Sequence, residues 1–90
     1  MITVRIPTAM RPLTGGASTV PVEGSTVREV LDALVAAHPG VAERLFSPDG
    51  TLRRFVNIYV EEEDIRFADG IDTKVPDGQT VSLLPAVAGG

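Results

Sequence analysis

The sequence has no cysteine and no tryptophan, and only one histidine, one lysine and one tyrosine. Without cysteine there are no disulfides, no thiolate metal sites and no cysteine nucleophile. A lone His38 leaves a zinc cluster or a Ser-His-Asp triad almost nothing to be built from. No stretch reaches the roughly 18 consecutive apolar residues that span a bilayer, so no membrane partner is expected. Met1 runs straight into ITVRIP with no basic n-region and no apolar h-region. That predicts no secretory signal and a cytoplasmic protein. The formal net charge of −4 lacks the basic field that phosphate binding needs, which argues against a nucleic-acid partner. It suits a protein that meets a basic patch on a partner.

What is present fits one small domain. Ninety residues can hide only about 60–65% of the unfolded chain's surface. ITVRIP alternates Ile2, Val4 and Ile6 against Thr3 and Arg5, the period of a half-buried strand. TAMRPLTGG reads as turn and loop. STVPVEG is a second strand with Val20 and Val22 on one face. Pro21 has no N–H to donate, which places that strand at a sheet edge. The two strands form a hairpin.

STVREVLDALVAAHPG is the clearest helix. Thr26 and Glu29 form a T-x-x-E capping box. Val27, Val30, Leu31, Leu34 and Val35 make one apolar stripe. Pro39 stops the helix, and Gly40 is expected to take positive φ beyond it. GVAERLFS gives one or two turns of a second helix closed by PDG. RRFVNIYV reads as a third strand, EEED as a tight connection, and IRF as a short strand. QTVSLLP is nearly all apolar, as for a strand buried on both faces at the sheet centre.

Strand, strand, helix, then strands is an α+β order. It suggests a β-grasp, the ubiquitin-like arrangement. The sheet would be mixed, with four to five strands, covered on one face by one main helix. The first and last strands would pair in parallel at its centre. Residues 1–85 would form this domain, and residues 86–90 a flexible tail.

Most candidate sites read as scaffold. Gly15–Gly16 lacks the lysine and Ser/Thr of a phosphate loop and reads as a hairpin turn. His38 falls at the C-terminal end of the helix, where a cation favours the macrodipole. The carboxylates of Glu61, Glu62, Glu63 and Asp64 lack the interleaved pattern and glycine of a calcium loop and read as a solvated hairpin tip. Arg53–Arg54 is too short for a nucleic-acid patch, though it could help hold a carboxylate-bearing partner or neighbour.

The tail, AVAGG, has no evident structural partner. It is either a frayed end or a device. As a device, its five residues after Pro85 extend about 17 Å, enough to enter another protein's buried site. Gly89 and Gly90 lack a Cβ and would thread a channel closed to any side chain. Ala86, Val87 and Ala88 keep the tail slim, and Pro85 stiffens its root. The Gly90 carboxylate then becomes a substrate, which ATP could convert to an acyl-adenylate open to attack by sulfur or nitrogen.

A small β-grasp domain whose last strand runs VSLLPAVAGG resembles the MoaD/ThiS family of ubiquitin-like sulfur carriers. RRFVNIYVEEEDIRF together with LLPAVAGG looks most like the CysO-type carriers of cysteine biosynthesis. MoaD-type members tend to show two prolines before their V-x-G-G ending, where this chain has Pro85–Ala86, and ThiS-type members are usually shorter. The resemblance implies a carrier with no catalytic residues, no metal and no cofactor of its own. An E1-like enzyme using ATP–Mg would adenylate Gly90, and sulfur would replace an oxygen to give a thiocarboxylate. A PLP-dependent cysteine synthase would accept the sulfur, and the new cysteine would become amide-linked to the carrier after acyl transfer from sulfur to nitrogen. A metalloprotease would then release it. Molybdopterin, thiamine or secondary-metabolite synthesis are alternative destinations for the sulfur. A protein modifier forming isopeptide bonds would use the same activated glycine.

Overall fold

The computed structural model describes residues 1–53 and 56–85. Arg54, Phe55 and residues 86–90 lie outside the described residues. Five strands form one sheet: β1 (Ile2–Arg5), β2 (Thr19–Val22), β3 (Val56–Val60), β4 (Glu63–Asp64) and β5 (Thr80–Pro85), in spatial order β2-β1-β5-β3-β4. β1 pairs antiparallel with β2 and parallel with β5, and β3 pairs antiparallel with both β5 and β4. This is the expected mixed sheet, with the last strand at its centre and Pro21 on the edge strand opposite Thr3.

The period-two alternation sets which face is buried. Ile2, Val4, Val20, Val22, Ile58, Val81 and Leu83 all point to one side and are almost wholly buried. The helix α1 (Val27–Ala37) covers them with Val27, Val30, Leu31 and Leu34, each fully buried. Val35 is only partly buried at the margin of that stripe. Val41 and Leu45, the latter from the short α2 (Ala42–Leu45), close the core.

Five local expectations need correction. TAMRPLTGG is not merely loop: Thr8–Thr14 forms a 3-10 helix, capped by Gly15 at φ 66 and followed by Gly16 at φ 87. The Thr26 hydroxyl accepts from the Glu29 N–H at 3.2 Å, but the Glu29 carboxylate reaches back chiefly to the Ser25 N–H and hydroxyl, both at 2.8 Å, with the Thr26 N–H a weaker partner. The cap is therefore shifted by one residue on its return arm.

The helix stop works through proline alone. Pro39 forces the residue before it out of helical geometry, and His38 sits at φ −137, ψ 79. Gly40 lies inside the 3-10 turn Pro39–Val41 and has no positive φ. IRF is a 3-10 turn (Ile65–Phe67), and the short strand is Glu63–Asp64 within the acidic run. β5, finally, is not buried on both faces. Helices cover one side of the sheet only, so Val81 and Leu83 are buried while Leu84 is 49% exposed on the open side.

Candidate functional site

β5 is the element that leads to the tail, so its anchorage defines the site. At its start, the Glu61 N–H donates to the Thr80 carbonyl at 2.8 Å, and the Glu61 carboxylate accepts from the Thr80 N–H at 2.7 Å. Glu61 adopts φ 56 at the tip of the β3–β4 connection. That left-handed turn is uncommon for a residue with a Cβ, and here it lets one side chain satisfy two requirements: closing the hairpin and pinning β5. The Thr3 N–H adds a bond to the Gln79 carbonyl at 3.2 Å.

At its far end β5 is held unevenly. Its ladder with β3 runs the full length to Val56↔Pro85, whereas its ladder with β1 stops at Arg5↔Ser82. The donors of β1 that face β5 come from alternate residues, Thr3 among them, and the one due after Arg5 belongs to Pro7, which has no N–H, while the Ile6 N–H continues the pairing toward β2 at the Ser18 carbonyl, 2.8 Å. The last turn of the ladder is thus open on one side. A groove lies along it, with Arg5, Pro7, Arg11, Ser82 and Leu84 among its walls. The Arg11 guanidinium donates through Nε to the Ile6 carbonyl at 3.2 Å, fixing its stem against the departing chain.

Pro85 is therefore the last rung of the central strand. The calls on Ala86, Val87, Ala88, Gly89 and Gly90 lie outside the described residues, as does the call on Arg54. Arg53 donates through Nε to the Glu43 carbonyl at 2.8 Å, so it braces the α2 segment. His38 forms the C-cap of α1, its backbone N–H on the Leu34 carbonyl. Gly15 and Gly16 serve the turn into β2.

In the acidic run, Glu61 and Glu62 make the turn, and Asp64 accepts from the Arg66 N–H at 2.9 Å. Among the described residues no group of three or more histidines, cysteines or carboxylates could hold a metal ion, and no helix is long and apolar enough to cross a membrane.

Among the described residues two carboxylates have pKa values held below the ordinary range, and both are cap or turn residues. Glu29 is stabilised as the anion by the Ser25 backbone N–H first, then the Ser25 hydroxyl. Asp49 is stabilised by the Thr51 hydroxyl and then the Thr51 N–H. Neither has the environment of a general acid or base.

Sequence reasoning missed Glu61 as the anchor of β5 and the arginine groove. The first left no local signal, because Glu61 and Thr80 are 19 residues apart. The second was partly visible: Arg5 occupies an outward position of β1, next to the strand that carries the tail.

Comparison with known proteins bears on this geometry. The family model described as the ThiS family matches residues 4–90. The chain is 50% identical over 91 residues to the sulfur carrier protein CysO of Mycobacterium tuberculosis, covering 99% of this chain and 98% of that protein. It is 38% identical over 68 residues to small archaeal modifier protein 3 of Haloferax volcanii, covering 76% of this chain and 73% of that protein. Its structure superposes with a TM-score of 0.92 on a chain from the crystal structure of the Amycolatopsis orientalis BexX/CysO complex, with 46% identity and 100% of both chains covered. This likeness confirms the β-grasp fold read from the element order. A hairpin, a covering helix and a central last strand leading into Gly-Gly thus have a common source: the chain belongs to the ThiS family.

Proposed function

We propose that this protein is a sulfur carrier that works as a substrate of partner enzymes and performs no catalysis itself. An E1-like partner, supplying ATP and magnesium, adenylates the Gly90 carboxylate and releases pyrophosphate. A sulfur donor then displaces AMP, leaving a C-terminal thiocarboxylate. The carrying observation is the near full-length identity to a protein named as a sulfur carrier, joined to a central strand that ends where the AVAGG segment begins. Gly89 and Gly90 are the reacting end. Pro85 to Ala88 are the segment that enters the partner's channel.

In this reading the sulfur goes to cysteine synthesis in the cytoplasm. The thiocarboxylate sulfur becomes bonded to the Cβ of an activated serine derivative at a PLP-dependent synthase, in place of the activated oxygen leaving group, which departs as its anion. Transfer of the acyl group from sulfur to nitrogen then leaves cysteine in amide linkage, and a metalloprotease hydrolyses that amide to restore Gly90. The likeness to CysO proteins favours this destination over molybdopterin, thiamine or secondary-metabolite synthesis.

The test is to incubate the full chain with ATP, a sulfide source and its adenylating enzyme, and to weigh the intact protein. The expected result is a mass gain matching one oxygen-to-sulfur exchange at the C-terminal peptide. An unchanged mass with every adenylating enzyme of the source cell overturns the reading.

A second reading, a protein modifier, is favoured by the relative named as a small archaeal modifier protein. The same activated Gly90 would acylate lysines on targets. Gly-Gly remnants on cellular lysines after proteolysis would identify it.

A further inference from the structure

The charges of this acidic protein are sorted along its strands. The turns at one end of the sheet carry Glu23, Glu61, Glu62, Glu63 and Asp77 beside Lys74 and the N-terminal amine. At the other end, where β5 finishes, the walls of the groove include two cations, Arg5 and Arg11, and no carboxylate. The two ion pairs among the described residues join Met1 to Asp77 and Arg66 to Asp64, so neither groove arginine is paired with a described carboxylate. Arg5 is exposed and stands on the open side of the sheet beside Ser82. Glu43 on α2 and Asp49 in the turn after it are not among the groove walls, and Asp49 is engaged with Thr51. The tail therefore leaves from the cationic end of a protein whose net charge is −4.

Reach decides what these arginines meet. If the five residues beyond Pro85 are extended, Gly90 lies about 17 Å away, roughly two Debye lengths at physiological ionic strength. A nucleotide phosphate at the reacting carboxylate is then out of range of Arg5 and Arg11. The surface that comes within a few ångströms of them is the mouth of the channel through which the tail passes. We propose that Arg5 and Arg11 form a docking collar around the root of the tail, complementary to carboxylates of Asp or Glu rimming the tail channel of the adenylating enzyme. The collar orients the carrier before the tail is threaded. It contributes to encounter and not to the chemical step. Rim charges act in that way, changing association rate and salt dependence more than the bound-state chemistry.

The inference rests on the carrier reading, and the test separates the two. Carrier-dependent ATP–pyrophosphate exchange by the purified adenylating enzyme of the same cell is measured with the full chain and with Arg5→Gln, Arg5→Lys and Arg5→Glu variants. Glu62→Gln at the far end is the control. For Arg5→Gln, KM for the carrier should rise about threefold, and for Arg5→Glu about tenfold, with kcat unchanged. Arg5→Lys should restore the parent KM, and Glu62→Gln should leave it unchanged. Raising ionic strength from about 0.05 M to about 0.5 M should raise the parent's KM and bring the Arg5→Gln protein level with it. Circular dichroism verifies folding. An Arg11→Lys variant, which keeps the charge but loses the bond to the Ile6 carbonyl, should behave as the parent and exclude a packing effect. Parent exchange with KM indifferent to Arg5→Glu and to salt overturns the collar and leaves the carrier reading standing. No carrier-dependent exchange by the parent overturns both.

Discussion

Val56 lies opposite Pro85 on the rung where the β3–β5 ladder ends. The start of one strand thereby fixes the finish of the other, on the side that β1 has already abandoned. Among the described residues, β3 is the strand that pairs with β5 at this rung, and the orientation of Pro85 depends on the packing beneath β5.

Leu83 supplies that packing. It is 1% exposed and faces Ile58 across the ladder. Truncating a buried leucine removes transfer free energy and leaves a cavity, so Leu83→Ala should destabilise the fold by about 2–5 kcal/mol. Leu84→Ala, one residue on and 49% exposed, should change stability by less than about 0.5 kcal/mol. Urea denaturation of the two variants checks the contrast. Equal losses would mean that the open face of β5 is packed in solution.

Gly24 precedes α1 in a confined place. A Cβ built there meets the Val30 backbone nitrogen and Cγ2, each at 3.0 Å. The backbone atom has little freedom to yield, so Gly24→Ala should cost about 1–3 kcal/mol through overpacking. Gly50, at φ 88 with open space around it, would be disfavoured for a different reason, its left-handed backbone. Thermal midpoints of Gly24→Ala and of Gly40→Ala, a turn glycine with ordinary φ, distinguish crowding from backbone preference. The second should be close to neutral.

Why some elements were legible and others were not follows from range. The period-two pattern of Ile2, Val4 and Ile6 and the helical stripe from Val27 to Leu34 are local, and both elements and their buried faces matched expectation. Pro21 named the edge strand because a missing N–H is a local fact with a global consequence. VSLLP misled because apolar composition cannot tell two covered faces from one covered face and an exposed Leu84. IRF misled because a three-residue run has no period to read, and Asp64, by accepting from the Arg66 N–H, caps a 3-10 turn. The Glu61–Thr80 clasp and the arginine groove arise from tertiary contact between distant segments. No window of sequence contains them.

The α1 cap should respond to acid. Glu29 has its pKa lowered from the ordinary 4.5, chiefly by the Ser25 N–H. A carboxylate with a depressed folded-state value stabilises the fold above the unfolded value, and that contribution is lost as pH falls through the folded one. The difference in thermal midpoint between the parent and Glu29→Gln should thus be full at neutral pH. It should begin to shrink below about 4.5 and vanish at lower pH. A difference that stays constant from neutral to strongly acidic buffer would show that the cap acts without its charge. Thr26→Ala, which removes the hydroxyl accepting from the Glu29 N–H, should cost about 0.5–2 kcal/mol.

The decisive variant separates the tail from the body. The buried core of the described chain draws on residues from Ile2 to Leu83, so deleting Gly89–Gly90 removes none of it. The thermal midpoint should be unchanged, because two glycines carry no side chain whose apolar area could be buried. If the carrier reading holds, thiocarboxylate formation should be abolished, because in that reading the acyl carbon to be activated belongs to Gly90. Gly90→Ala keeps a carboxylate but places a methyl beside it, and should fold normally while turning over slowly with the adenylating enzyme. Intact-mass measurement and turnover on the three proteins give the answer directly. A truncated chain that still gained sulfur would move the reacting group elsewhere in the molecule, and a truncated chain that lost stability would make the tail part of the fold.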